Sequence, residues 1–161
     1  MNRQQITVTD RSTEAATQRA VPYGFVASIL YASKAHAHYP MSYLRDVIAP
    51  AMQHHLFRLY FNRRGVPVGY VVWAFVAEDV QTRFLQTGKW DLHESEWREG
   101  NLLWIVDFAA PFGHVYPMLQ HLRDHVFPKE RELRYYRIKN GKMIAKAISR
   151  DDRCSFFKRQ S

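Results

Sequence analysis

The chain has a single cysteine, Cys154, and no long apolar run. One thiol cannot close an intramolecular disulfide, which fits a reducing compartment. The longest nearly apolar stretch, 66-VPVGYVVWAFVA-77, is 12 residues long and holds Pro67 and Gly69. A membrane-spanning helix needs about 20 apolar residues. The seven glycines are isolated, so neither G-x-G-x-x-G nor G-x-x-x-x-G-K-[ST] is present and a dedicated phosphate-cradling loop is excluded. The first twenty residues, MNRQQITVTDRSTEAATQRA, lack the apolar core of a secretory signal and read as a polar lead-in. A cytoplasmic protein is expected, with residues 1–20 a flexible segment and 21–161 one domain. Metal-ligand patterns are equally sparse. His121 and His125 stand four apart and His54 and His55 are adjacent, but no third ligand lies at motif spacing, so no metal is expected. Cys154 sits in a charged stretch without a neighbouring histidine, a poor setting for a nucleophile.

What is present is a large apolar complement: hydrophobic residues make up 47% and aromatics 14% of 161 residues, enough to build a core and to exclude disorder as the main state. Apolar spacing predicts a helix over 23–34 and a second over 41–56, kinked at Pro50 because proline lacks the N–H the helix needs. The segments 56-LFRLYF-61 and 67-PVGYVVWAFV-76, with Gly65 between them, predict a hairpin; 101-NLLWIVDFAA-110 predicts a strand buried on both faces. A helix over 114–127 follows. Then 132-ELRYYRIK-139, Asn140-Gly141 and 142-KMIAKAIS-149 give the strongest short-range hairpin signal there is. Residues 79–98 are polar, a short helix and a long loop. The order predicts an α+β domain, a mixed and mostly antiparallel sheet flanked by helices.

Charge is lopsided. Up to Pro128 there are 12 Lys/Arg against 11 Asp/Glu; from Lys129 onward there are 11 against 4. Such asymmetry points to an acidic partner: nucleic acid, an anionic membrane surface met peripherally, or an acidic protein. The alternative is a solvated basic tail kept for solubility.

Two places carry candidate chemistry. Asp107 is the only charge in its strand, and a buried carboxylate must be paired or hydrogen-bonded. It either plays a structural part, capping the next helix or bonding a nearby backbone amide, or orients a histidine from another element. The stretch 31-YASKAHAHYP-40 offers His36 and His38 in a link between helices, with Ser33 one turn before His36.

These pieces resemble a known family. The segments 24-GFVASILYASKAHAHYPMSYLRDVIAPAM-52 and 67-PVGYVVWA-74, then Trp97, Gly100 and 104-WIVDFAAPFG-113, follow in order the spaced motifs of the RTX toxin-activating lysine acyltransferases. The resemblance implies a fold similar to the Gcn5-type N-acetyltransferases and a homodimer. It implies transfer of a fatty acyl group from acyl carrier protein to internal lysines of an RTX protoxin in the cytoplasm. The donor is the acyl-4'-phosphopantetheine of the carrier, and no bound cofactor is implied. By the same resemblance the essential histidine falls on His36, the aspartate on Asp107 and a supporting serine on Ser33, while His38 is off the motif. Three positions depart from the family pattern: Ala37 stands where arginine is common, and Tyr39 and Phe108 each replace a tryptophan. A lysine amine, with a pKa of ~10.4, needs a base before it can attack a thioester, and a histidine oriented by a carboxylate supplies one.

A donor without a nucleotide needs no pyrophosphate loop but does need a basic surface for its acidic carrier. Arg137, Lys139, Lys142 and Lys146, on the predicted hairpin, are the expected docking residues. The same residues, interleaved with Tyr135, support a rival reading from another class: a non-catalytic nucleic-acid-binding module. That reading gives His36 and Asp107 no role.

Overall fold

The computed structural model describes residues 14–150. Cys154 and the first thirteen residues lie outside them. Helix α1 (Glu14–Ala32) begins well before the predicted start at residue 23. The segment 14-EAATQRAV-21 is alanine-rich with an acidic first residue, so it extends the helix backward through Pro22. Of the expected lead-in, residues 14–20 are thus helical.

The predicted second helix is split. A wide, π-type turn over Leu44–Ile48 runs into α2 (Ala49–Gln53), with the Ala49 amide bonded to the Leu44 carbonyl five residues back. Pro50 has no amide to give and its ring would crowd the carbonyl four residues earlier; the wider turn relieves both. α2 stops with His55 in the left-handed region (φ 58°). The Leu56 amide then reaches the Ala51 carbonyl (2.8 Å) and the His55 amide reaches Met52 (3.1 Å), closing the last carbonyls of the helix.

Strands β1 (Phe57–Phe61) and β2 (Pro67–Val76) form the first antiparallel pair. Helix α3 (Glu78–Thr87) ends at left-handed Gly88. β3 (Leu102–Ala109) pairs antiparallel with β2 and α4 (Val115–His121) follows, widening into a π-type turn over Leu122–Val126. β4 (Glu132–Lys139) and β5 (Lys142–Ser149) pair antiparallel about Asn140 (φ 52°) and Gly141 (φ 71°), the two positive φ values a two-residue hairpin turn demands. The five strands lie in chain order, and only β3 and β4 run parallel. This is the α+β class expected, with the mixed, mostly antiparallel sheet.

Two features of the sheet position the site. The β2–β3 register jumps between Val72–Asp107 and Trp73–Ile105, leaving Val106 as a bulge next to Asp107. The parallel β3–β4 pair is joined at Trp104–Arg134, three residues before Asp107 along β3.

The core is continuous, with Tyr70, Phe84, Trp97, Trp104 and Phe127 almost fully buried. Phe84 stacks on Trp90 (3.7 Å between centroids) and meets Trp104 and Tyr136 edge-on (both 5.3 Å). Gly100 donates to the Phe75 carbonyl (2.9 Å), and a Cβ there would sit 2.0 Å from the Val76 carbonyl carbon and oxygen. On the opposite face of β2, Trp73 meets Phe127 edge-on (5.3 Å) and Gly69 lies close against Met118. No helix among the described residues is long and apolar enough to cross a membrane.

Candidate active site

α1 ends at Ala32 and Ser33 leaves it extended (φ −95°, ψ 111°) before a tight turn over Lys34–His36. The His36 amide bonds to the Ser33 carbonyl (3.0 Å) and the Tyr39 amide to the His36 carbonyl (2.9 Å). Successive three-residue turns followed by Pro40 coil this short link back on itself. Ser33 therefore lies beside the His36 ring, its Oγ 2.6 Å from Nδ1.

From the other side, β3 brings Asp107 to His36 across 71 positions of sequence, Oδ1 at 3.0 Å from Nε2. Ser33, His36 and Asp107 are only 7%, 8% and 8% exposed. The expected trio forms one hydrogen-bonded chain. The orientation follows from the partners: an ionised carboxylate only accepts, so Nε2 carries the proton toward Asp107. Nδ1 is then the acceptor for the Ser33 hydroxyl. Nδ1 is the basic atom, and Ser33 occupies it.

Asp107 is further bound by groups the sequence reading did not single out. Tyr70 Oη donates to Oδ2 at 2.7 Å, Tyr43 Oη donates to the same oxygen, and the Phe108 amide donates to Oδ1 at 2.8 Å. That amide is therefore taken and does not serve an oxyanion. Burial first, and the neighbouring Asp107 charge second, push the Tyr43 and Tyr70 phenols far above their usual range. The same two causes, in the same order, raise Tyr39 and Tyr136 at the mouth of the site. All four stay protonated donors at neutral pH. Nothing in the sequence signalled Tyr43 or Tyr70 beyond the general need of a buried tyrosine hydroxyl for a partner; the β2–β3 register, which sets Val72 beside Asp107, is what brings Tyr70 near.

Arg137, Lys139, Lys142 and Lys146 are exposed on the β4–β5 hairpin. The register sets Tyr135 against Lys146, Arg137 against Ile144 and Lys139 against Lys142, so the basic residues share one side. Tyr136, on the other side, reaches Phe84. None of the four takes part in an ion pair among the described residues. His38 is exposed. His121 and His125 lie 5.2 Å apart, His121 bonded through Nδ1 to Tyr60 Oη (3.1 Å). The described residues contain no cluster of three metal-ligating side chains.

The chain is similar in sequence to known proteins. The chain is 33% identical over 95 residues to the lysine-acyltransferase RtxC of Vibrio cholerae, covering 59% of this chain and 61% of that one. It is 31% identical over 116 residues to the leukotoxin-activating lysine-acyltransferase LtxC of Aggregatibacter actinomycetemcomitans, covering 71% and 67% respectively. An uncharacterized Synechocystis protein, sll0720, is 25% identical over 142 residues, covering 87% of this chain and 96% of its own. The model of the RTX toxin acyltransferase family matches residues 15–150, almost everything described above, and the chain belongs to that family.

Proposed function

We propose that this protein is a cytoplasmic lysine acyltransferase that moves a fatty acyl group from acyl carrier protein to internal lysines of an RTX protoxin. The observation that carries the reading is the buried chain Ser33–His36–Asp107, with its acceptor nitrogen turned to the serine. Family membership and the lysine-acyltransferase names of its relatives support the reaction class.

The chemistry follows from the hydrogen bonds. An incoming lysine amine gives up a proton as its nitrogen attacks the thioester carbonyl. Ser33 stands at Nδ1, so its hydroxyl takes the amine's proton while passing its own to Nδ1, or swings to the carbonyl and leaves Nδ1 to the amine. Either way the proton ends on His36, and Asp107 balances the imidazolium charge. The amide forms, the carbon–sulfur bond breaks, and the carrier thiol leaves with the proton His36 returns. Closing the site with aromatic side chains excludes water, which would hydrolyse the thioester.

Carrier docking is assigned to Arg137, Lys139, Lys142 and Lys146, whose exposed charges suit an acidic partner. A homodimer belongs to the same reading. The nucleic-acid alternative leaves a buried histidine–aspartate pair without a task.

The decisive experiment co-expresses the chain and acyl carrier protein with an acidic, glycine-rich calcium-repeat protein and reads that protein by mass spectrometry. Lysines gaining a fatty acyl mass only with the wild-type chain, and not with His36→Ala, are the expected result. An unmodified repeat protein in the presence of charged acyl carrier protein overturns the assignment.

A further inference from the structure

Asp107 is held by more donors than the orientation of one histidine requires. Oδ1 accepts from His36 Nε2 and the Phe108 amide; Oδ2 accepts from Tyr43 and Tyr70. A carboxylate offers about four acceptor positions, so all are filled. The two phenols arrive from different parts of the fold, Tyr43 just before the π-type turn and Tyr70 from β2, and their oxygens are 3.3 Å apart. Their rings are braced as well. Tyr43 meets Tyr39 edge-on (4.6 Å), Tyr39 meets His36 edge-on (4.8 Å), and Tyr70 lies against Phe57 (5.9 Å). Core tyrosines usually bond to whatever carbonyl is near; here both converge on one oxygen of the one carboxylate buried among the described residues.

We propose that Tyr43 and Tyr70 are positioning residues that act through Asp107. By holding Oδ2 they fix the rotation of the carboxylate, which keeps Oδ1 on Nε2–H and leaves Nδ1 facing Ser33. Without them the carboxylate turns about its last bond, and His36 loses the contact that sets its tautomer. Tyr43 does one thing more. It follows the histidine link by only a few residues, so its bond to Asp107 ties that link to β3.

The test uses Tyr43→Phe, Tyr70→Phe and the double variant, which keep the rings and remove only the hydroxyls. Its rate measurements rest on the acyl-transfer reading. Its spectroscopic measurement does not, so failure of one is distinguishable from failure of the other. Each single variant is expected to lose roughly 10-fold in kcat and the pair clearly less than the product of the two losses, with KM for donor and acceptor unchanged. In an Asp107→Asn background the same changes should cost no more than about twofold, since residues acting through one group are not additive. In proton NMR the Nε2–H resonance of His36 should move upfield and exchange faster with water in the double variant, or in the singles if the double does not fold. Losses that multiply undiminished on Asp107→Asn, or an unmoved Nε2–H resonance, would overturn the proposal.

Discussion

His36, Ser33 and Asp107 differ in what their loss removes. His36→Ala deletes the only side chain that can carry the proton and should abolish transfer with the fold intact. Asp107→Asn keeps the shape but turns an acceptor partly into a donor, and should cost at least ~100-fold. Ser33→Ala leaves Nδ1 open to water or to the amine itself, so ~10–100-fold with measurable residual activity is expected. Exposed His38 serves as the control, and His38→Ala should be nearly silent; single-turnover acylation read by mass spectrometry ranks all four. An acyl-Ser33 adduct caught in that experiment would make the serine a nucleophile instead of a support. Asp107 was legible by itself, as a lone charge in an apolar strand, whereas the choice of His36 over His38 and of Ser33 as its support came from the family resemblance. Tyr43 and Tyr70 were not legible. A tyrosine among apolar residues fits its pattern as core, and only the third dimension shows where the hydroxyl points.

Elements were legible where one interaction decides them. The predicted 132–139 and 142–149 strands match β4 and β5 because Asn140-Gly141 permits little but a two-residue turn. The β2 and β3 runs were equally plain, being too rich in branched and aromatic residues for anything but buried strands. The split of the second helix was half visible: Pro50 announced a break, but whether it kinks or widens the helix depends on the packing of Ile48 and Ala51 in the core. The parallel β3–β4 pairing at Trp104–Arg134 had no sequence signal at all, since register between strands distant in sequence is set by the core. Gly100 is an element-scale constraint with a clear test. It lies where backbone meets backbone, so Gly100→Ala must push the end of β2 away. A loss of about 3 kcal/mol or more in urea unfolding is expected, far above the few tenths typical of a surface Gly→Ala change. A variant as stable as wild type would mean that the approach between Gly100 and Val76 is looser than described.

At the scale of the whole molecule, protons and charge decide behaviour. Tyr39, Tyr43, Tyr70 and Tyr136 all titrate above the ordinary phenol value of 10.0, and Tyr60 is pushed up to about 12, chiefly by burial. Above that ordinary value the unfolded chain releases phenolic protons that the fold retains. Stability is therefore flat in this respect below pH about 10 and falls as pH rises beyond it. Urea midpoints between pH 8 and 11 should show that break, with a shallower fall in Tyr43→Phe. The positive charge is concentrated from Lys129 onward, and its exposed side on the hairpin gives the second whole-molecule expectation. Four cations on one side of a two-stranded ribbon create a field that reaches about a Debye length, roughly 8 Å at physiological salt, and it acts on encounter more than on the bound state. Arg137→Glu with Lys142→Glu should then raise KM for acyl carrier protein several-fold with little change in kcat, and the wild-type rate should fall as salt rises. RTX repeats are acidic too, so the same face could serve the acceptor. Direct binding separates the two: a reversed-charge protein that holds the carrier normally but fails to hold the protoxin would assign this side to the acceptor. Equal turnover with acyl-coenzyme A would remove the argument for a carrier altogether, because the donor would then need no protein for this face to hold.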